Sequence, residues 1–355
     1  MSRHSKAWGV AAGLVGVAAA GATARAVQQI QARQGAGDAT EFGALTSPSL
    51  KVVADDGIDL HVEIDEADPD RQTPLTVVFV HGYTLSLQAW HFQRAAYRGL
   101  VRTVFYDQRS HGRSDRSAGE NCTIAQLGRD LKRVIETTTD GPVVVVGHSM
   151  GGMSVISLAA QFPEMFGSRI VGTALIATTA GGMDPGRILF PMLPLGSVSG
   201  QAIARLVRVL DRGHLLVDRL RATGFRLAEL VVDRFSFGDD VPRNYAEFVF
   251  DMIDATPFEV VADFYPAFAA LDHYDDLAAL GLAPCTVIGA TTDRLTSIGH
   301  SRKLHSRIPG SDLLEVEGAG HMVILERHDE VNAELDRLFE RALHHAQDLK
   351  ERTEA

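Results

Sequence analysis

A serine, a histidine and an aspartate that reach one place can cleave acyl bonds. This chain carries all three in suitable settings. Val143-Val144-Val145-Val146 runs straight into Gly147-His148-Ser149-Met150-Gly151-Gly152. The four β-branched residues predict a buried strand, and Met153 to Gln161 predicts a helix. Between them, Gly-x-Ser-x-Gly predicts a sharp, strained strand-to-helix turn that thrusts the Ser149 hydroxyl off the end of a sheet. Gly147 and Gly151 are the small neighbours such a turn requires. The Met150 N–H then lies at a helix N-terminus, where partial positive charge favours an oxyanion.

A serine hydroxyl is a weak nucleophile until a base takes its proton and an acid orients the base. Asp293 falls just beyond the predicted strand Cys285 to Gly289, after Ala290-Thr291-Thr292. His321 follows the predicted strand Leu313 to Val316, on the glycine-rich run Glu317-Gly318-Ala319-Gly320. Ser149, Asp293 and His321 therefore arrive at one sheet edge from three separate places. Asp293 has a competing role as cap of a helix starting near Thr296. Asp254 and Asp263 are the reserve acids.

The second oxyanion donor is expected in the loop after the strand Leu75 to Val80, which reads His81-Gly82-Tyr83-Thr84. Gly82 lets the backbone approach a substrate, and the Tyr83 N–H would point inward beside that of Met150. His81 precedes the nucleophile and is read as a structural hydrogen-bonding residue, because His321 fills the base role. His81, Gly82, Gly147, His148 and Gly151 thus form the supporting loops. The charged loop Asp107-Gln108-Arg109-Ser110-His111-Gly112-Arg113-Ser114 reads more readily as a salt-bridged scaffold than as a lining of the site.

These residues need a frame. Leu50 to Ala54 and Ile58 to Ile64, joined by Asp55-Asp56-Gly57, predict a β-hairpin. Fully apolar strands then alternate with helices at 88–97, 123–137, 153–161 and 330–345. That rhythm implies an α/β fold: a mostly parallel sheet covered on both faces, with the hairpin as an antiparallel edge. The stretch 181–266 has helical periodicity and no strand. It is read as an inserted helical cap above the carboxyl ends of the strands. The core is then 49–180 and 267–346, and 347–355 is a polar tail.

The 355 residues suffice for one large domain with an insertion. A net charge of −11 argues against nucleic acid as a partner. Cys122 and Cys285 have no metal-ligand spacing, and Cys285 sits in an apolar run. Near the start, Arg3 and Lys6 precede the uncharged Ala7 to Ala24. Three readings fit: a membrane anchor, which is preferred; a signal peptide cleaved near Ala22-Thr23-Ala24; and a soluble leader. They imply membrane association, secretion or a cytoplasmic location in turn. Gln28 to Ser49 reads as a polar linker.

Taken together, His-Gly at 81–82, the loop 107–114, Gly-His-Ser-Met-Gly-Gly at 147–152, Asp293 and Gly-Ala-Gly-His at 318–321 resemble the α/β-hydrolase superfamily. The details are similar to actinobacterial capped esterase- and lipase-like hydrolases with a hydrophobic N-terminal segment, and to cofactor-free haloperoxidase-type members. The resemblance implies a Ser–His–Asp enzyme needing no metal or cofactor. Members that use an aspartate nucleophile, for epoxides or haloalkanes, do not match Ser149.

The expected activity is hydrolysis of small-molecule carboxylic esters with lipophilic acyl groups. Lactonase, thioesterase or perhydrolase chemistry on the same triad stays open, as does a non-catalytic membrane-anchored binding module. Within the insertion, Arg205, Arg208 and Arg212 share a helix face read chiefly as solvated, and the apolar 188–195 is read as pocket roof or hinge.

Overall fold

The computed structural model describes residues 41–70, 73–183 and 235–354. The N-terminal apolar run, the arginine face 205–212 and the segment 188–195 lie outside these residues. Eight strands form one sheet in the order β1-β2-β4-β3-β5-β6-β7-β8. They are β1 (Ser49–Val53), β2 (Asp59–Asp65), β3 (Thr76–Val80), β4 (Arg102–Tyr106), β5 (Val143–His148), β6 (Ile170–Ile176), β7 (Cys285–Ala290) and β8 (Asp312–Val316). β2 runs antiparallel to both β1 and β4, and every other pairing is parallel. The expected hairpin edge and parallel core are therefore both present.

Strand residues point alternately to the two faces. On β5, Val144 and Val146 enter one apolar cluster, while Val143 and Val145 enter another on the opposite side. Burial on both faces is why the strand reads as unbroken valine. The first cluster is closed by α1 (His91–Tyr97), which a single 3₁₀ turn precedes, and by the long C-terminal helix. The second is closed by α2 (Ile124–Thr138) and α3 (Met150–Gln161). Thr123 caps α2 by accepting the Gln126 N–H, which fixes where that helix begins. Cys285 is fully buried in β7, and both cysteines are free.

Between β6 and β7 the described residues form α4 (Arg243–Ala255) and α5 (Phe258–Ala269). After β7 come α6 (Ile298–Arg307), the short α7 (Val323–Glu326) and α8 (His328–Glu354). No helix among the described residues is long and apolar enough to cross a membrane.

Two sequence boundaries need correction. The last helix does not stop near His345: α8 continues through 347–354, where a tail was expected. Leu343, Ala346 and Leu349 pack against the first cluster, so the apolar stripe carries the helix onward. Likewise the end of the expected linker is part of the fold. The Phe42 ring stacks on Phe248 of α4 at 4.3 Å and meets His91, Phe92 and Tyr245 edge-on. Ser47 N–H donates to Glu63 at 2.9 Å, and Arg98 donates to the Thr46 carbonyl at 2.8 Å.

Candidate active site

Ser149 sits between β5 and α3 with φ 53° and ψ −119°, a left-handed backbone on a non-glycine residue. Such a conformation costs roughly 1–3 kcal/mol and persists only where surrounding contacts impose it. Those contacts are visible. Ser149 N–H donates to the Ile176 carbonyl at 2.9 Å, and the Thr178 hydroxyl donates to the Ser149 carbonyl at 2.7 Å. α3 also lies directly against β3: a Cβ on Gly151 would stand 2.0 Å from the Val80 carbonyl oxygen. Only glycine fits there, which is the physical basis of the expected turn.

The three chemistry-bearing residues converge. His321 Nε2 lies 2.9 Å from Ser149 Oγ, and its Nδ1 lies 2.9 Å from Asp293 Oδ2. All three are buried, at 9%, 7% and 5% exposure for Ser149, His321 and Asp293. Asp293 is held from both sides. Its Oδ1 accepts the Leu295 and Thr296 N–H groups at 2.7 and 2.9 Å, and the Thr296 hydroxyl donates to Oδ2 at 2.8 Å. Burial alone would raise this carboxyl. The His321 ring and the Thr296 donors override it and hold Asp293 below the ordinary carboxylate range. The helix expected near Thr296 begins at Ile298 with Ser297 as its N-cap, so the Asp293 bonds to Leu295 and Thr296 hold the turn before it and cap no helix. The reserve acids lie elsewhere: Asp254 is exposed on α4, and Asp263 approaches Arg116 at 3.6 Å.

Met150 opens α3, so its N–H is among the first-turn donors that no helix carbonyl can satisfy. Across from it, Leu85 N–H donates to the Gly82 carbonyl at 3.3 Å, and Thr84 has φ 59°. Tyr83 thus occupies the first corner of a tight turn. A Cβ on Gly82 would stand 3.2 Å from Ser149 Cβ, so this turn abuts the serine. The Tyr83 hydroxyl donates to the Val261 carbonyl of α5 at 2.7 Å, and the Thr256 hydroxyl donates to the Thr84 carbonyl at 3.2 Å. The loop is therefore bonded to both α4 and α5.

The supporting histidines are neutral. Gln108 N–H donates to His81 Nε2 at 2.9 Å, so the ring proton is on Nδ1 and donates to the Gly82 carbonyl at 2.7 Å. Burial lowers His81 to about 3, which suits a structural role and not a base. His148 Nε2–H donates to the His321 carbonyl at 2.9 Å, and burial lowers it to about 3 as well. The loop 107–114 is a scaffold. Arg109, fully buried, pairs with Asp130 at 2.6 Å and Asp56 at 2.7 Å, and Gln108 grips the His81 backbone. The sequence carries no sign of Thr178, whose partner Ser149 is 29 residues away, and marks Thr296 only as a helix start and not as a donor to Asp293.

A family profile described as "Alpha/beta hydrolase family" matches residues 77–334. A 3-oxoadipate enol-lactonase of Acinetobacter baylyi is 25% identical over 252 residues, 71% of this chain and 83% of its own length. Among solved structures, the enol-lactonase from Burkholderia xenovorans aligns with a TM-score of 0.64 at 24% identity, covering 82% of this chain and 99% of its own. An esterase from Exiguobacterium antarcticum aligns at 0.63 with 17% identity, covering 82% and 98%. A profile that spans the elbow, the aspartate and the histidine, on a sheet of this order, leaves one conclusion: the chain belongs to the alpha/beta hydrolase family.

Proposed function

We propose that this chain is a serine hydrolase that cleaves carboxylic esters of lipophilic acyl groups through an acyl-enzyme on Ser149. The observation that carries the reading is the relay of two 2.9 Å contacts, Ser149 to His321 to Asp293, on a serine held at positive φ. Ser149 Oγ attacks the ester carbonyl carbon while His321 Nε2 takes the hydroxyl proton. The carbonyl oxygen becomes an oxyanion against the Met150 and Tyr83 N–H groups. The C–O bond to the alcohol then breaks, and His321 returns the proton to the departing oxygen. Water, deprotonated by His321, attacks the acyl carbon and releases the acid and Ser149. Asp293 keeps the His321 proton on Nδ1 and stabilises the imidazolium.

The lipophilic preference is supported by the apolar surroundings of the elbow, where Met150 and Met153 pack in a buried cluster with Val260, Phe264, Phe268 and Leu271. The test is intact mass after a fluorophosphonate probe, followed by turnover of short-chain activated esters. One adduct and turnover are expected for the wild type and neither for Ser149→Ala. Full turnover by that variant sinks the proposal.

A second reading is favoured by the relatives named enol-lactonase. A lactone is an ester whose alcohol stays tethered, so the same steps open it. Comparing kcat/KM for a lactone and an open ester on one preparation separates the two. The proposal extends to location: Ala7 to Ala24 tether the chain to a membrane. Full-length protein that stays in the soluble fraction without detergent would refute the tether.

A further inference from the structure

The loop that carries His321 is held by a residue outside the relay. Glu326, at the end of α7, is half-buried and gathers three backbone donors. Its Oε1 accepts the Gly320 N–H at 2.7 Å. Its Oε2 accepts the Gly238 N–H at 2.9 Å and the Asp239 N–H at 3.4 Å. Gly320 immediately precedes His321. Gly238 and Asp239 belong to the segment that leads into α4. One carboxylate thus joins two stretches of chain far apart in sequence.

The two stretches touch backbone to backbone. A Cβ on Gly238 would stand 2.1 Å from the Gly318 carbonyl oxygen, and one on Gly320 would stand 2.4 Å from the Gly238 nitrogen. On the other side of the histidine, Met322 N–H donates to the Ser236 carbonyl at 2.7 Å. The His321 carbonyl itself accepts from His148. Gly320, His321 and Met322 each have a tied backbone group, and two of the three ties run through residues 236–239 and Glu326. A carboxylate suits this post because each oxygen serves one stretch, and charge strengthens bonds from N–H donors. An amide offers one oxygen and turns an NH₂ toward the other donors.

We propose that Glu326 is a positioning residue for His321, and that it acts by clamping residues 236–239 against the histidine loop. The ring then sits at bonding distance from Ser149 only while that clamp is closed. This rests on the proposed role of His321 as the base, and the experiment is chosen to tell the two apart.

Glu326→Gln and Glu326→Asp are compared with the wild type by thermal midpoint, by kcat and KM on the best ester, and by proton NMR. The NMR signal is the far-downfield proton of the His321–Asp293 bond, assigned by its loss in Asp293→Asn. For Glu326→Gln we expect kcat to fall about 10- to 100-fold, as for a reacting group misplaced by around 1 Å. KM should move less than about three-fold, since substrate contacts remain. The downfield proton should shift or broaden. Glu326→Asp keeps the charge with a shorter reach, so it should recover part of the rate; it also serves if the glutamine variant does not fold. A folded variant with a lower thermal midpoint but unchanged kcat and an unmoved downfield proton overturns the proposal, because Glu326 would then serve stability alone. A wild type that shows the downfield proton yet reacts with no ester or phosphonate overturns the hydrolase reading instead. The shift of that proton in the variants still decides the positioning role.

Discussion

Replacing Asp293 by asparagine should cost far more than a hydrogen bond, because the site dictates which way the amide faces. Asp293 Oδ1 accepts two backbone N–H groups, from Leu295 and Thr296. An asparagine must leave its oxygen there. Its NH₂ then points at His321 Nδ1 and forces the ring proton onto Nε2, where it faces Ser149 and cannot accept the hydroxyl proton. The opposite flip keeps the useful tautomer but leaves two buried N–H groups unsatisfied, at about 1–3 kcal/mol each. The productive arrangement is therefore about 2–6 kcal/mol higher, a penalty of roughly 30-fold to 10⁴-fold in its population. The rate of fluorophosphonate labelling, followed by intact mass, reads that population without needing the natural substrate. A folded Asp293→Asn variant that labels within about three-fold of wild type would refute the tautomer argument.

Three further outcomes follow from named contacts. Thr178→Val removes the 2.7 Å donor of the buried Ser149 carbonyl, which keeps the Met153 N–H at 3.2 Å; a loss of about 0.5–1.5 kcal/mol in denaturant unfolding is expected, and an unchanged midpoint would show that the elbow holds without it. Tyr83→Phe unties the loop from Val261 of α5; at about 1 kcal/mol for the bond, labelling should slow up to about five-fold, and no change would mean the loop keeps its place unaided. His81 and His148 are lowered to about 3, and His111 to about 4, each chiefly by burial. The unfolded chain takes up these protons below about pH 6.5 and the folded chain refuses them, so stability is lost as pH falls through that window. Three such groups cost roughly 4 kcal/mol per pH unit together; the fold should collapse by about pH 4 in a circular-dichroism titration, and full retention there would contradict the burial of these rings.

The legible parts of the sequence are those whose cause is local. β5, the turn and α3 follow one another without a break, so strand, strain and helix are written in consecutive residues. Asp293 and His321 are readable because each sits just past an apolar strand. Thr178, Thr296 and Glu326 are different. Thr178 meets Ser149, and Glu326 meets Gly238, across loops far apart in sequence, whereas Thr296 meets Asp293 three residues away in a turn that carries no regular pattern. Phe42 is a single aromatic in a polar stretch, with no period to mark it. The continuation of α8 is legible in Leu343, Ala346 and Leu349, which keep the helical spacing, but the polar residues His344, His345, Gln347 and Asp348 between them mask it. The loop 107–114 reads correctly as a scaffold because it carries charges of both signs, although the burial of Arg109 depends on Asp56 and Asp130 from two other elements.

The Phe42 contact redraws where the folded unit begins. A cut at Ser49, just before the first strand, would leave the faces of Phe92, Tyr245 and Phe248 open to water and to one another's copies. It would also free α4, the helix whose C-cap Thr256 bonds the Thr84 carbonyl beside the serine. A cut before Glu41 keeps the ring in its slot. The smallest soluble, well-behaved version of this protein should therefore start some eight residues ahead of its first strand. A shortened version that aggregates would report a lost wedge and say nothing against the catalytic centre.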